Sequence, residues 1–327
     1  MKKVFSPLRM SIVTLAAALA ALLSIPLLRP FLSFEGEMIT SVWPLGAALF
    51  LFLVQEALNP IFAGLALRSV GESTRYRMQL LIILLSTSAN SAVPFPAGMP
   101  IRAILQKQFS QIPLAKSAGA MLIETLVGYG IVTACALASG YLWFRAAFEQ
   151  QLHDLRGSSI ALAAFAGFLL AACVIGMVYV KKDKLRGSVM EAGRQAVRAR
   201  IVPLVGMAVV VLASMLLALA RFELILQAMG IEAAYGPLLG ALLISRLAGV
   251  ISLVPMGLGI RDVSLVSMLL MLGVSGPYAI AAAAIDRILM TVPCLAGGVI
   301  ATHFLGKQAV ESILRPAAGG ALSGQDS

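Results

Sequence analysis

Six long apolar stretches constrain the fold of this 327-residue chain more than any other feature. They run approximately over 10–28, 43–67, 115–143, 158–180, 202–229 and 279–305. A helix needs about 20 apolar residues to cross the hydrocarbon layer of a bilayer. Inside lipid, every backbone N–H and C=O group must find its partner within the protein, which a helix provides. The sequence therefore predicts an all-α polytopic membrane protein with six full spans.

The composition excludes the main classes of water-soluble protein. Hydrophobic residues make up 60% of the chain and charged residues 12%, whereas soluble domains have about 45–50% and about 25%. A soluble enzyme, a nucleic-acid reader and a disordered chain are therefore not expected. The net charge of +10 would suggest nucleic-acid binding in a soluble protein. In a membrane protein it reports which loops face the cytoplasm, so no nucleic-acid partner is expected.

Basic loops predict the orientation of the chain, because Lys and Arg accumulate on the cytoplasmic side. The segment 181–200 carries seven basic and two acidic residues, which places it in the cytoplasm. The basic N-terminus and the basic loop 68–77 are predicted to be cytoplasmic as well, and the final span returns the C-terminus to that side. The apolar run 10–28 is longer than the core of a signal peptide, so it is interpreted as a retained first span.

Two further apolar stretches are interrupted by proline and glycine, which break helices. One covers about 78–105 and the other about 237–275. Given the loop orientation, the first must start and end inside and the second outside. Two crossings each would satisfy the same parity, but the charged or short return arms favour two re-entrant hairpins that enter from opposite faces. Their predicted turn residues are Pro94, Gly98, Pro255, Gly257 and Gly259.

The same order of elements occurs twice: two spans, a hairpin and one span. The two halves, about 10–145 and 156–307, start on opposite sides of the membrane, which is an inverted-topology repeat of the kind that many secondary transporters use. Each hairpin is followed by an Ile-Arg pair and then by an acid in the next span, Arg102 with Glu124 and Arg261 with Asp286. We predict one membrane domain over 1–327, with a disordered tail at 316–327.

Ionisable residues inside or near the apolar stretches are candidates for function, because a central charge costs roughly 3 kcal/mol in a membrane. Four acids and four arginines form this set, which fits mutual pairing: Glu56, Arg102, Glu124, Arg246, Arg261, Asp262, Asp286 and Arg287. All except Glu56 are predicted to bind substrate, since arginine holds phosphate through bidentate contacts. Purely structural salt bridges remain an alternative, and a helix kink at Asn59-Pro60 can explain Glu56.

Catalytic chemistry has no candidate in the sequence. His153 and His303 lack ligand or nucleophile partners, and the three cysteines lie far apart in apolar runs. Neither pattern indicates a metal site, a disulfide or a hydrolase. No catalytic residue, metal or cofactor is expected, and the protein is not expected to be an enzyme.

Two sequence blocks resemble a known family. The first is NSAVPFPAGMPIRA at 90–103, followed by Glu124, and the second is LVPMGLGIRD at 253–262, followed by IDR at 285–287. They resemble the flippase-like integral membrane family typified by the transmembrane region of bacterial lysylphosphatidylglycerol synthetases, over about 40–305. The first block has Pro96, Met99 and Thr125 where that family usually has charged residues.

The resemblance implies a lipid translocase or a lipid-pathway accessory protein of the bacterial inner membrane. The family's soluble aminoacyl-transferring domain is expected to be absent, and with it synthase activity. The implied partners are membrane lipids with anionic or phosphate-bearing headgroups, with a lipid-synthesis enzyme as a further candidate. Three hypotheses follow: a lipid flippase, a secondary transporter of a small anionic solute, and a non-transporting partner of a lipid-modifying enzyme.

Overall fold

The computed structural model describes residues 39–92, 98–145, 201–251 and 259–314, and these contain eight α-helices. We name the helices in chain order: α1 Trp43–Ser69, α2 Tyr76–Ala92, α3 Gly98–Ser110, α4 Leu114–Trp143, α5 Ile201–Ala228, α6 Tyr235–Ile251, α7 Ile260–Met271 and α8 Gly276–Leu314. The predicted spans 10–28 and 158–180, the basic loop 181–200 and the tail 316–327 lie outside the described residues.

Four helices are long and apolar enough to cross a membrane: α1, α4, α5 and the part of α8 up to Gly306. They coincide with four of the predicted spans to within a few residues. Only 17–28% of the most apolar window of each helix is buried inside the protein. Large apolar side chains such as Val202, Val209 and Leu137 point outward, which is the surface that lipid solvates. The chain is thus a multi-pass membrane protein.

The two predicted interruptions are confirmed as helix breaks. Helix α2 ends at Ala92 before α3 starts at Gly98, and α6 ends at Ile251 before α7 starts at Ile260. Helices α3 and α7 have 13 and 12 residues, which gives lengths of about 18–20 Å at about 1.5 Å per residue. Neither reaches across a hydrocarbon layer of about 30 Å. The turn residues Pro94, Pro255 and Gly257 lie outside the described residues.

Both glycines that begin the return arms are required by local structure. The Gly98 N–H donates to Oδ1 of Asn90 at 2.6 Å, so the end of α2 fixes the start of α3. A Cβ atom at Gly98 would collide with that same asparagine side chain. Gly259 has a φ of +82°, a left-handed conformation that glycine adopts without strain. Its carbonyl accepts the first hydrogen bond of α7, from Val263.

The helices of the two halves have corresponding neighbours. Helix α1 packs most extensively on α5, while α2 packs on α8 and α6 on α4. Helix α2 contacts α3 as α6 contacts α7, and α3 contacts α4 as α7 contacts α8. The helix pairs α2–α3 and α6–α7 therefore each contact both α4 and α8.

Small residues make these cross-half contacts close, as is usual for helices in membranes. In α8, Gly297 and Gly298 face Leu84 and Ser88 of α2. The Gly236-x-x-x-Gly240 spacing in α6 faces α4, where Trp143, Ser139 and the following Phe144 lie within 3.1 Å of the added Cβ positions. The tightest contact is at Gly298, where an added Cβ atom would collide with the Cβ atom of Ser88.

The substitution Gly298→Ala tests the close contact between α2 and α8. The new Cβ atom would overlap with the Ser88 side chain, and overpacking of this kind costs about 1–3 kcal/mol. We expect a lower thermal unfolding temperature in detergent. Gly306→Ala is the matched control on the same helix, because no described residue lies within 4 Å of its Cβ position. Equal stability of the two variants would contradict the contact, and adding Ser88→Gly should rescue Gly298→Ala.

Candidate functional site

Asp286 of α8 is bound by two arginines. Its Oδ1 lies 2.8 Å from a terminal nitrogen of Arg221 in α5, and its Oδ2 accepts a 2.8 Å hydrogen bond from Arg261 in α7. The aspartate is only 1% exposed. One carboxylate therefore joins three helices, and the two guanidinium groups carry more positive charge than it neutralises.

Arg221 is the buried member of this group, at 3% exposed. It donates to Oε1 of Gln55 in α1 at 3.1 Å, and its guanidinium lies 5.4 Å from the centre of the Phe52 ring. Its second terminal nitrogen also approaches the Met290 sulfur at 3.4 Å. A cation–π contact and a neutral amide stabilise the guanidinium without cancelling its charge.

Arg246 of α6 is the third arginine at this place. The nearby charges that act on it are those of Arg261, Arg221 and Asp286, together with the Tyr129 hydroxyl of α4. It is half-buried and forms no ion pair with any residue that the structure describes. We call Arg221, Arg246, Arg261 and Asp286 the arginine cluster. It contains three guanidinium groups and one carboxylate.

Glu56 of α1 lies next to the arginine cluster. Its carboxyl interacts electrostatically with Arg221 and Arg246 and with Cys294 of α8. It forms no ion pair among the described residues, and its Oε2 is buried without a hydrogen-bond partner there. Asn59, which precedes Pro60 on the same helix, also acts on this carboxyl through a side-chain hydrogen bond.

The first half of the chain has a balanced counterpart. Arg102 of α3 donates to both oxygens of Glu124 in α4, at 2.7 and 2.5 Å. The two side chains are 12% and 13% exposed. As in the pair of Arg261 and Asp286, an arginine of the return arm binds an acid of the next long helix. Here, however, the fork of one arginine meets one whole carboxylate, so the charges cancel.

Two further predicted site residues form a pair nearer the surface. Arg287 of α8 donates to Oδ2 of Asp262 in α7 at 2.6 Å, with side chains 16% and 30% exposed. The predicted mutual pairing therefore holds for Arg102 with Glu124, Arg261 with Asp286, and Arg287 with Asp262. It does not hold for Arg246 and Glu56, which the structure brings together without an ion pair.

Sequence reasoning missed Arg221, and the expected balance of four acids against four arginines was wrong for that reason. With Arg221 the set has five arginines and four acids. The available signal was its position seven residues before the end of the helix Ile201–Ala228, directly after a stretch without any charged residue. That position also suits an arginine that extends its side chain to the membrane surface, so the sequence alone does not separate the two situations.

A second missed feature is a buried polar contact at the base of the first hairpin. The Gln106 amide of α3 donates to Oε1 of Gln79 in α2 at 3.4 Å, and the Ser117 hydroxyl of α4 donates to Oε1 of Gln106. All three residues are at most 1% exposed. They fix α3 between α2 and α4, and so they position Arg102 opposite Glu124.

A cavity of about 800 Å³ lies elsewhere, between the turn after α1 and the start of α5. Arg68, Glu72 and Ile201 are among its lining residues. Ile201 is separated from Arg221 by about 30 Å of helix, at about 1.5 Å per residue. This cavity is therefore distinct from the arginine cluster. It borders a segment that the structure does not describe, and we assign it no role.

Comparison with known families identifies the chain. The family model described as "Lysylphosphatidylglycerol synthase TM region" matches residues 13–298. The chain belongs to this family. The match includes both hairpins and every member of the arginine cluster. A comparison with curated proteins found no match. Membership in the lysylphosphatidylglycerol synthase TM family ties the protein to lipid metabolism in a membrane.

The substitution Asp286→Asn tests whether the shared carboxylate stabilises the packing of α5, α7 and α8. Loss of one partner from a buried ion pair typically costs about 3–5 kcal/mol, because the remaining charge is left uncompensated. We expect a large drop in the thermal unfolding temperature, since Arg221 is buried. Asp262→Asn is the control, and its more exposed pair should contribute about 1 kcal/mol or less. Similar losses in the two variants would contradict the central role of Asp286.

Proposed function

We propose that the protein is a lipid translocase of the bacterial inner membrane. It moves a phospholipid or glycolipid between leaflets, and the arginine cluster binds the anionic or phosphate-bearing headgroup. The observation that carries this proposal is Arg246, which lies beside Arg221 and Arg261 without an ion-pair partner among the described residues. Membership in a family named for a lipid product supports a lipid as the ligand.

The charge of the cluster favours an anionic ligand. Charges near the centre of a membrane cost roughly 3 kcal/mol each unless they are paired or hydrated. The three guanidinium groups have one closely bound carboxylate, on Asp286. A phosphate group would supply the missing negative charge, and its oxygens match the bidentate fork of arginine. The headgroup would bind Arg246 and compete with Asp286 for Arg261.

We further propose that the headgroup crosses between two re-entrant hairpins, α2–α3 and α6–α7, within an inverted repeat. Three observations support this arrangement. The return arms α3 and α7 are short, the helices of the two halves have corresponding neighbours, and the pairs Arg102–Glu124 and Arg261–Asp286 occupy corresponding positions. In this topology both termini are cytoplasmic, and substrate enters from either face.

Lipid movement should depend on Arg246. Wild-type protein reconstituted into vesicles should move fluorescently labelled phosphatidylglycerol between leaflets faster than labelled phosphatidylcholine. Arg246→Gln should reduce the phosphatidylglycerol rate at least about 10-fold, which corresponds to the loss of one charge-assisted hydrogen bond of about 1.5–3 kcal/mol. Arg246 forms no ion pair with a described residue. Removing its charge therefore leaves every described carboxylate with the ion-pair partner that it has in the wild type. Arg75→Gln, at an exposed position before α2, is the matched control.

Other results would select a different function. Equal rates for wild type and Arg246→Gln across a panel of lipids would overturn the proposed headgroup site. Uptake of a small anionic solute that follows a pH gradient, with no lipid movement, would indicate a secondary transporter. Co-purification with a lipid-modifying enzyme, with no transport by the protein alone, would indicate an accessory partner. We propose that the protein itself is not an enzyme.

The proposed topology predicts opposite exposure for two loops. In a cysteine-free background, a cysteine at Gln111, between α3 and α4, should react with a membrane-impermeant thiol reagent only from the cytoplasmic side. A cysteine at Glu232, between α5 and α6, should react only from outside. Both residues are exposed in the structure, so access to reagent should not limit labelling. Labelling of both positions from the same side would contradict the inverted repeat.

A further inference from the structure

Glu56 has a buried carboxyl for which neither the ion pairs nor the proposed headgroup site provides a role. It lies on α1, and Arg221 of α5 and Arg246 of α6 are the cations that act on it. Its Oε2 is buried and has no hydrogen-bond partner among the described residues. An ionised carboxylate in an apolar interior without a bound cation is costly. The neutral, protonated form removes that cost.

We propose that Glu56 is a proton-binding site coupled to the arginine cluster, so that a proton and an anionic headgroup bind together. The inference rests on the proposed function, because it concerns the same headgroup site. The proton comes from water and binds Oε2 of Glu56. It returns to water when the headgroup leaves, so one proton moves with each bound anion.

The sign of the coupling follows from the charges. With Glu56 ionised, the arginine cluster and Glu56 together hold three positive and two negative charges. Protonation of Glu56 removes one negative charge beside Arg246, and the attraction for an anion increases. By thermodynamic linkage, a bound anion must raise the proton affinity of Glu56 by the same factor.

Within the part of the chain that the structure describes, the groups around Glu56 favour it as the proton-binding group of this region. On its own helix, Asn59 forms a side-chain hydrogen bond with the carboxyl. Arg221 and Arg246 face it from α5 and α6, and Cys294 faces it from α8. Tyr129 of α4 and Asp286 of α8 act on Arg246. Arginine, cysteine and tyrosine side chains ordinarily keep their protons between about pH 5 and 8, and Asp286 is held by two guanidinium groups.

Calorimetric titration of the full-length protein in detergent tests the coupling. The probe is short-chain dioctanoyl phosphatidylglycerol, with dioctanoyl phosphatidylcholine as the headgroup control. For wild type, affinity should rise at least about 5-fold from about pH 8 to about pH 5, the lower end of the range for coupled sites. The number of protons taken up is obtained from binding heats measured in two buffers that differ in ionisation enthalpy. At a pH where Glu56 is ionised in the ligand-free protein, close to one proton should be taken up per anion bound.

Glu56→Gln mimics the protonated carboxyl and removes the titratable group. This variant should bind phosphatidylglycerol with the tight, low-pH affinity throughout and take up no proton. Glu223→Gln is the matched control, because Glu223 lies on α5 and its side chain accepts from Gln227, outside the cluster. It should keep the wild-type pH dependence. Histidines titrate in the same window, so the comparison of these two variants assigns the proton.

Each outcome either supports or overturns the coupling. Unchanged pH dependence in Glu56→Gln, or no proton uptake by wild type, overturns it, even when Arg246 is required for binding. The wild-type measurement decides the question if Glu56→Gln does not fold. Failure of the proposed function gives a different result, in which phosphatidylglycerol binds no better than phosphatidylcholine and Arg246→Gln has no effect.

Discussion

The ion pairs of Asp286 are the interaction on which the rest of the described structure depends. They connect α5, α7 and α8, and the amide of Gln55 extends the connection to α1. In an apolar interior each charge is costly alone, so none of these helices can move far without a penalty of several kcal/mol. The short arm α7, which cannot span the membrane by itself, is thereby fixed against a long helix. The same contacts place Arg261 beside Arg246.

Both halves of the protein contain an ion pair between an arginine of a short helix and an acid of the next long helix, but the surrounding charges differ. In the first half, Arg102 and Glu124 form a closed, neutral pair, and buried glutamine and serine side chains hold α3 in place. In the second half, a single carboxylate serves two arginines and a third arginine lies beside them. Among the described residues, α3 and α4 thus share a charge-balanced ion pair, whereas α7 meets a group with more guanidinium groups than carboxylates.

Local sequence signals predicted the described helices well, because helix breaks and apolar length are local properties. Proline and glycine marked both interruptions, and four span boundaries were right to within a few residues. The pairs of Arg102 and Arg261 with the following acids were predictable from their repeated spacing. Arg221 was not, because its role depends on the approach of α5 to α8, which the local sequence does not specify. The placement of Glu56 near Arg221 likewise depends on the tertiary packing of α1 on α5.

The charge left over in the arginine cluster is best understood together with Glu56. Five arginines and four acids occupy the region, and a protein that needed only stable helix packing could balance them as Arg102 and Glu124 do. Replacing such pairs with apolar residues is often neutral or stabilising, so an unbalanced set is not explained by stability. The proposed headgroup site accounts for it, because a bound anion would supply the missing negative charge. In the proposed coupling, protonation of Glu56 would strengthen the binding of that anion, and loss of the proton would weaken it.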